Sequence, residues 1–244
     1  MRVATYNLLK GGTKRVHWLK MIVEHEVDLL LTQESGPQEH YLSPLVYPEL
    51  LRQSVWDSAP PNRWGSAIFS RTGTVKQLHL PRFNGWVVGA ELTRLSWRRQ
   101  VKRPLLVFSV HVPYGKGGYW RQVDALLDEI ARLAVGKDVI IGGDFNVPIT
   151  PPCRADYVMT KREAAIHARL TEEFGLMNCW QEANPGRQPA QTLRWTGSRT
   201  IPYHCDGIFV PAQWRDRLQS CVVLSGAEWD PLSDHNPVIA IFSD

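Results

Sequence analysis

The first part of the chain alternates apolar runs of strand length with segments of helical periodicity. Val3–Leu9 and Asp28–Glu34 are predicted strands. Between them, apolar residues recur at helical spacing, at Val16, Leu19, Ile22 and Val23. A second helix is predicted over Gln38–Leu51. The chain therefore opens as strand, helix, strand, helix.

A series of strands follows, each closed by glycine, proline or charged residues. The predicted strands are Trp64–Arg71, Thr74–Leu80, Trp86–Leu95 and Pro104–Val112. Their connections are too short for crossovers, so several neighbouring strands must be antiparallel.

The second half of the chain returns to alternating helices and strands. An amphipathic helix is predicted over Tyr119–Leu133, and another begins at the capping-box sequence Thr160–Glu163. The remaining predicted strands are Val139–Gly142, Thr192–Trp195, Cys205–Val210, Val222–Leu224 and Pro237–Phe242. Batches of strands separated by helices predict an α/β fold, namely a four-layer αββα sandwich of two mixed β-sheets flanked by helices. No repeat or linker marks a boundary, so residues 1–244 are predicted to form a single domain.

The composition excludes a disordered chain but identifies no partner. The 244 residues are 43% hydrophobic, 21% charged and 10% aromatic, unlike charge-rich and aromatic-poor disordered proteins. The formal net charge of +4 attracts polyanions only weakly, so local patches would have to provide any binding of nucleic acid. The sequence indicates no obligate protein partner.

The sequence also predicts a protein without a membrane span. Apolar runs such as Val238–Phe242 are far shorter than the roughly 18 residues that a membrane helix needs. No charged leader with an apolar core and a cleavage site is recognised before the first strand, so we expect a cytoplasmic protein. The four cysteines are widely spaced and include no CxxC pair, which favours free thiols.

Polar residues stand at the ends of the apolar strands. They are Asn7, Glu34, His111, Asp144 with Asn146, Asp206, and Asp234 with His235. The first four groups follow their strands and the last two precede theirs. If the last two strands run antiparallel to the others, all six groups gather at one rim of the sandwich. If the strand that contains Asp144 stays extended through Asn146, these two side chains point to the same side of the sheet.

Such a gathering would place four carboxylates and two carboxamides in one cleft. Without a counter-charge, the repulsion would raise the carboxylate pKa values or destabilise the fold. Hard oxygen ligands favour Mg²⁺ or Mn²⁺ over zinc, and such a cation would polarise a phosphoryl oxygen. Each residue alone has an ordinary alternative, because Asp and Asn at strand ends are commonly turn formers.

Taken together, these motifs resemble those of the endonuclease/exonuclease/phosphatase superfamily. The matching segments, in family order along nearly the whole chain, are Thr5-Tyr6-Asn7, Gln33-Glu34, Trp64-Gly65-Ser66-Ala67-Ile68-Phe69-Ser70-Arg71, His111-Val112-Pro113, Gly143-Asp144-Phe145-Asn146, Asp206-Gly207-Ile208-Phe209-Val210 and Ser233-Asp234-His235. The resemblance implies the αββα fold and a metal-dependent phosphoesterase of the deoxyribonuclease-like or exonuclease III-like kind.

The resemblance implies metal and water-activating roles for five residues. Glu34 would be the principal metal ligand, with Asn7 assisting at the metal or the phosphate. Asp234 would lie near the metal cleft, at a position that some members use for a second metal. Asp144 would orient and activate the attacking water, and Asn146 would hold the phosphate.

The resemblance implies separate roles for two histidines. His235 would contact a phosphoryl oxygen or move a proton, with Asp206 fixing its ring. His111 stands where the abasic-site endonuclease branch has tyrosine, whereas the deoxyribonuclease-like and sphingomyelinase-like branches have histidine. His111 therefore counts against a dedicated abasic-site repair enzyme, and the sequence does not identify the carboxylate that would orient its ring.

Three further residues are candidates for substrate binding. Arg98 and Arg99 lie in the basic segment Arg94–Arg103 and would track phosphates, although a solvated hairpin turn explains this segment at least as well. Trp195 precedes the Asp206 strand much as a Thr-to-Trp segment does in relatives, so it is predicted near the substrate.

The leading hypothesis is a Mg²⁺- or Mn²⁺-dependent phosphodiesterase, a nuclease that cleaves DNA or RNA by in-line attack of an activated water. A phosphomonoesterase or a lipid-headgroup phosphodiesterase on the same scaffold is the enzymatic alternative, because fold does not settle substrate. A non-catalytic binding module is a third hypothesis, and the complete set of polar residues argues against it.

Overall fold

The computed structural model describes residues 1–12, 16–93, 103–151, 158–194 and 203–243. In these residues the strands are β1 (Arg2–Asn7), β2 (Leu29–Ser35), β3 (Ser54–Ser58), β4 (Gly65–Ser70), β5 (Thr74–Leu78), β6 (Val87–Thr93), β7 (Leu105–His111), β8 (Asp138–Asp144), β9 (Leu176–Asn178), β10 (Asp206–Pro211), β11 (Leu218–Val223) and β12 (Val238–Phe242). The helices are α1 (His17–Leu19), α2 (Pro48–Arg52), α3 (Gly118–Leu133), α4 (Lys161–Ala168) and α5 (Cys179–Ala183). Helices α1 and α4 each continue into a π-helical turn, over Lys20–Glu24 and Arg169–Glu173.

The strands form two six-stranded mixed sheets. Sheet A has the strand order β11-β12-β1-β2-β4-β3, and sheet B has the order β5-β6-β7-β8-β10-β9. Each sheet contains one parallel pair, β1 with β2 and β7 with β8, while the other described pairs are antiparallel. Parallel neighbours need a crossover connection, and segments containing α1 and α3 provide the two crossovers.

Three apolar layers hold the two sheets and their helices together. Strand alternation separates the layers, because successive side chains point to opposite faces of a sheet. In β2, Leu31 enters the core between the sheets while Leu30 packs outside sheet A with Trp18. In β8, Ile140 enters the same central core while Ile141 packs outside sheet B, where α3 and α4 lie. The predicted α/β fold with two mixed sheets and flanking helices is thus confirmed.

The predicted helix Gln38–Leu51 is wrong. The segment contains a single 3₁₀ turn over Gln38–His40 and then α2, which begins at Pro48. Proline inside a helix removes a backbone donor and clashes with the preceding turn. Pro44 therefore interrupts the segment, whereas Pro48 stands in the first turn of α2, where proline is tolerated.

Short elements in the second half depend on tertiary contacts. The sequence pattern predicts neither β9 nor α5. Strand β9 has only three residues. Helix α5 is held at its start by Asn178, whose Oδ1 accepts from the Trp180 amide at 2.9 Å. The predicted strand Thr192–Trp195 is reduced to isolated bridges of Leu193 with Tyr203 and His235, flanked by backbone hydrogen bonds of Thr192 and Arg194. Trp195 lies outside the described residues.

Two predictions from composition can be compared with the described residues. No helix there is long and apolar enough to cross a bilayer. Cys179, Cys205 and Cys221 are buried free thiols, as predicted, and Cys153 lies outside the described residues.

Candidate active site

Strand register gathers the polar strand ends at one rim of the sandwich. In sheet B, Asp144 of β8 lies opposite both His111 of β7 and Asp206 of β10. In sheet A, the parallel β1–β2 pair ends at Asn7 and Gln33. Strand β12 runs antiparallel to β1, so the residues just before it return to the same edge.

Glu34 is turned into the rim by an irregularity near the end of β2. The pairing with β4 shifts register between Thr32 and Ser35, and Glu34 adopts a positive φ of 48°. A bulge re-aims a side chain in this way and is frequent beside active sites. The Glu34 Oε2 accepts from the Lys10 amide at 2.7 Å. Burial raises the pKa of Glu34, while the hydrogen bonds from Lys10 and Asn7 act in the opposite direction.

Asn7 links the two carboxylates at the centre of the rim. Its Nδ2 donates to Asp144 Oδ2 at 3.1 Å and to Glu34 Oε1 at 3.4 Å. Its Oδ1 accepts from the Leu9 amide at 3.1 Å, so the amide group is held at both ends. Asn7 is 1% exposed, which fixes its position relative to both acids.

Asp144 is buried, and its neighbours in the chain fix its orientation. Its Oδ1 accepts from the Asn146 amide at 2.9 Å. Asn146 has a positive φ of 54°, and its Nδ2 donates to the Val112 carbonyl at 3.0 Å. The strand therefore does not stay extended after Asp144, so the shared orientation expected for Asp144 and Asn146 does not follow from alternation. Phe145 does face the outer core of sheet B, as expected.

His235 and Asp206 form a buried pair. The His235 Nδ1 lies 2.9 Å from Asp206 Oδ2 and 3.1 Å from Oδ1. The other ring nitrogen, Nε2, lies 3.7 Å from Asp144 Oδ2. Burial by itself lowers the pKa of His235, but the charges of Asp206 and Asp144 outweigh burial and raise the pKa to about 10. The ring is therefore an imidazolium at neutral pH.

His111 lies beside the same carboxylate in the opposite protonation state. Its Nε2 is 3.8 Å from Asp144 Oδ2 and 3.7 Å from Glu34 Oε1. Burial lowers its pKa to about 4, so the ring is neutral at pH 7. Its Nδ1 has no hydrogen-bond partner in the described part of the chain, and Trp64 and Trp86 pack against the ring with centroids 5.7 and 5.0 Å away. Aromatic packing, rather than a described carboxylate, orients this ring.

Ser233 and Thr192 position the site, and sequence reasoning gave neither a role. The Ser233 Oγ donates to the Asn7 carbonyl at 2.7 Å and accepts from the His235 amide at 3.1 Å. The Thr192 Oγ1 accepts from the amides of Cys205 and Asp206 at 3.0 and 3.1 Å. Ser233 belongs to the Ser-Asp-His motif, which was the only signal available for it.

Asp234 is half-buried and lies between Ser233 and His235 in sequence. Its Oδ1 lies 3.4 Å from the Ser233 Oγ, whose hydrogen goes to the nearer Asn7 carbonyl. Its carboxylate also contributes to raising the pKa of His235, after the larger effects of burial, Asp206 and Asp144. Asp234 therefore adds negative charge beside the imidazolium.

The donor groups at this rim fit a divalent cation. Ligand atoms of Asp144, Cys205, Asp206 and His235 lie within 4.8 Å of one another. In that group, however, the Cys205 thiol and the His235 ring already bond to Asp206. Glu34 instead places a half-buried carboxylate close to Asp144. Burial raises the pKa of Glu34, and a bound cation would reverse that shift. Hard carboxylate and amide oxygens suit Mg²⁺ or Mn²⁺.

Three predicted substrate-binding residues, Arg98, Arg99 and Trp195, lie outside the described residues. The other predicted site residues, apart from Asp234, are joined to one another by hydrogen bonds or lie within 3.8 Å of Asp144.

The chain is similar over its whole length to solved nuclease and phosphatase structures. An AP endonuclease from Archaeoglobus fulgidus is 15% identical, with a TM-score of 0.73 and coverage of 100% of both chains. A 3′ phosphatase from Neisseria, bound to a product DNA hairpin, is 17% identical, with a TM-score of 0.73 and coverage of 100% of this chain and 99% of its own. The APE2 catalytic domain from Xenopus laevis is 18% identical, with a TM-score of 0.71 and coverage of 99% and 91%. At these identities the likeness shows the fold alone.

Sequence comparison identifies the family directly. No curated protein gives a significant match. The profile of the endonuclease/exonuclease/phosphatase family, however, matches residues 4–235, a span that contains every polar strand end described above. The chain therefore belongs to the endonuclease/exonuclease/phosphatase family.

Proposed function

We propose that this protein is a divalent-cation-dependent phosphodiesterase that cleaves nucleic acid by in-line attack of water at phosphorus. The observation that carries the proposal is the setting of Asp144. Its carboxylate is 1% exposed, is held by donors from Asn7 and Asn146, and lies within 3.8 Å of a neutral and a charged imidazole.

In this mechanism Asp144 orients the attacking water and accepts its proton. The imidazolium of His235 donates a hydrogen bond to a non-bridging oxygen of the phosphoryl group, and Asp206 keeps the ring charged and aligned. As the bond from phosphorus to the leaving oxygen breaks, that oxygen takes up a proton from solvent water. A preorganised donor of this kind stabilises charge that develops in the transition state. Asn146 holds the phosphate, and the reaction needs no covalent intermediate.

Glu34, with Asn7 and Asp234, would hold Mg²⁺ or Mn²⁺. When bound, the cation neutralises charge on the phosphoryl oxygens. Glu34 is supported as the main ligand because its carboxylate lies at the rim in a strained backbone conformation, which persists only when the surrounding structure enforces it.

Nucleic acid is the proposed substrate class. The family match and the fold shared with an AP endonuclease and with a DNA-bound 3′ phosphatase support this choice. His111, in place of the tyrosine of the abasic-site branch, argues against a dedicated abasic-site endonuclease. A cytoplasmic location stays a prediction from sequence.

Substrate assays with metal removal test the proposal. Purified protein should cleave single- or double-stranded oligonucleotides in Mg²⁺ or Mn²⁺, and EDTA should abolish cleavage. The variant Glu34→Gln should fold normally but lose roughly 10² to 10³ in rate, the usual effect of removing one charge-stabilising group. The matched control is Glu26→Gln, because the Glu26 side chain is 71% exposed and ion-pairs with Arg2; it should keep full activity.

Other outcomes would contradict the proposal. Cleavage that persists in EDTA, or in the Glu34→Gln variant, would contradict the proposed dependence on a divalent cation held by Glu34. Activity confined to phosphomonoesters or lipid headgroups would contradict nucleic acid as the substrate class. Oligonucleotide binding without hydrolysis in any metal would favour a binding module.

A further inference from the structure

An exposed aromatic side chain lies next to the candidate active site. Tyr114 follows β7 by three residues and is 77% exposed, and no other aromatic residue is among the large exposed hydrophobics of the described residues. The ring packs against Tyr119 at a centroid distance of 5.3 Å and an interplanar angle of 74°. Tyr114 is therefore held by a neighbouring ring while most of its surface remains in solvent.

Tyr119, the second ring of this pair, is close enough to Asp144 to feel its charge. It lies in the first turn of α3. Burial, followed by the charge of Asp144, raises its pKa. Tyr203, whose hydroxyl donates to the Asn146 carbonyl at 3.2 Å, interacts electrostatically with both Tyr119 and Asp144. The segment that carries Tyr114 also starts at the rim, because Asn146 Nδ2 donates to the carbonyl of Val112, two residues before Tyr114, at 3.0 Å.

A cavity with basic walls lies at the start of the same helix. It has a volume of about 340 Å³, and Gly117, Trp120, Arg121 and Arg162 are among its lining residues. A Cβ on Gly117 would lie 2.5 Å from Arg121 Cδ, so glycine leaves space for the Arg121 side chain across the loop. Neither Arg121 nor Arg162 has an ion pair within the described ranges.

The one acidic residue in the lining of this cavity is already neutralised. Asp124 is paired with Arg169 of the following π-helical turn. The cavity therefore presents net positive charge, which suits a phosphate group. Its volume lies in the range of small-ligand pockets, roughly 300 to 1,000 Å³.

We propose that Tyr114 and Tyr119 form a stacking platform for a nucleobase next to the reacting phosphodiester, with a neighbouring phosphate of the same strand directed toward Arg121 and Arg162. The proposal rests on the proposed function and specifies its substrate as a strand with an unpaired base beside the cleavage position. Every base has a π-face, so the platform binds without sequence preference.

Matched polymers separate base stacking from charge. Fluorescence anisotropy would compare a labelled dT 12-mer with a tetrahydrofuran (abasic) 12-mer of equal charge, in an Asp144→Asn background that prevents turnover. Tyr114→Leu should weaken binding of the dT 12-mer about 10-fold, given the usual strength of base–aromatic stacking. Binding of the abasic polymer should not change. Tyr114→Phe, which keeps the ring, should bind both polymers as the parent does.

The arginines should behave differently from the tyrosine. Arg121→Gln with Arg162→Gln should weaken both polymers equally. The slope of log affinity against log salt should become shallower by about 0.7 for each phosphate that the double variant no longer neutralises. Retention of the parent's slope would overturn the assignment of the cavity to phosphate.

Two further results would overturn the platform, and they are distinguishable. If Tyr114→Leu weakened binding of both polymers equally, or weakened neither, Tyr114 would have no stacking role. The proposed function would not be affected by that result. Failure of the parent protein to bind either polymer, together with hydrolysis of non-nucleotide phosphoesters by the wild-type protein, would remove both proposals.

Discussion

His111 and His235 approach the same oxygen of Asp144 at 3.8 and 3.7 Å, yet their environments separate their protonation states. His111 is surrounded by tryptophan rings and is neutral, whereas His235 is paired with Asp206 and is charged. Pairs of titratable groups whose pKa values are pushed apart commonly divide acid and base roles. In the proposed mechanism this separation leaves His235 as the charged hydrogen-bond donor to the phosphoryl group.

Replacing Asp206 tests that assignment. Asp206→Asn removes the largest of the effects that raise the pKa of His235, so we expect this pKa to fall from about 10. Activity should fall roughly 10²-fold, because the imidazolium loses its partner. NMR titration of the His235 ring measures the first effect, and the pH profile of kcat measures the second. An unchanged ring titration would show that Asp206 does not set the charge of His235.

The sequence predicted which polar residues meet at the rim better than it predicted their conformation. Glu34, Asp144 and Asp206 stand out because hydrophobic periodicity reveals where strands end. The positive φ of Glu34 and the hydrogen bonds of Ser233 to Asn7 and His235 could not be predicted. Those features depend on which strands become neighbours, and a local pattern carries no such information.

At the scale of elements, the close approach of β7 and β8 requires Gly143. Its φ is +152°, and a Cβ there would lie 1.9 Å from the Val110 carbonyl oxygen. Because the obstacle is backbone, only a shift of one strand relative to the other could relieve the clash.

We therefore expect Gly143→Ala to destabilise the protein by several kcal/mol, since overpacking and backbone strain combine. The control is Gly175→Ala, where φ is +63° and nothing lies within 4 Å of the added Cβ. That change should cost only about 1 to 2 kcal/mol, from the left-handed backbone alone. Urea unfolding compares the two variants, and equal midpoints would contradict the expected backbone clash.

The elements were predictable where the local signal was strong. The amphipathic pattern predicted α3 over Tyr119–Leu133, and the helix spans Gly118–Leu133. The capping box of α4 is present, with Thr160 and Glu163 bonded reciprocally. The segment Gln38–Leu51 has apolar residues at helical spacing, but Pro44 interrupts it, so the predicted continuous helix does not form.

At the scale of the whole molecule, a buried histidine makes stability depend on pH. His17 is fully buried, and its ring nitrogens have no hydrogen-bond partners in the described residues. Burial lowers its pKa to about 4, against 6.5 for the free side chain. Between these values the unfolded chain binds more protons than the folded one. The free energy of unfolding therefore has its full value, as far as His17 is concerned, above about pH 6.5. It decreases as the pH falls from 6.5 toward 4.

Protonation linked to His17 should lower the free energy of unfolding by about 2 kcal/mol between pH 7.5 and pH 5. His17→Phe keeps a buried ring without a titrating group, so its stability should fall less over that interval by this amount. Urea unfolding of both proteins at the two pH values measures the difference, in which the shared contributions of other histidines cancel. Parallel pH dependences would contradict the role of His17.

The layered architecture was predictable, but the order of strands within each sheet was not. Strands in batches between helices predict two sheets with helices outside. Nothing local indicates that β1 lies between β2 and β12, or that the Met1 ammonium donates to the Phe242 carbonyl at 2.9 Å. Such contacts join residues at the two ends of the chain.

The position of β12 beside β1 has a consequence for synthesis. A nascent chain on the ribosome holds Asn7 and Glu34 long before Asp234, His235 and β12 have emerged. Until then, β1 has an open edge and Asp144 lacks its imidazolium neighbour. We expect the polar rim to assemble only after Asp234, His235 and β12 have been synthesised, so that chains terminated before these residues carry Asn7, Glu34 and Asp144 without a complete site.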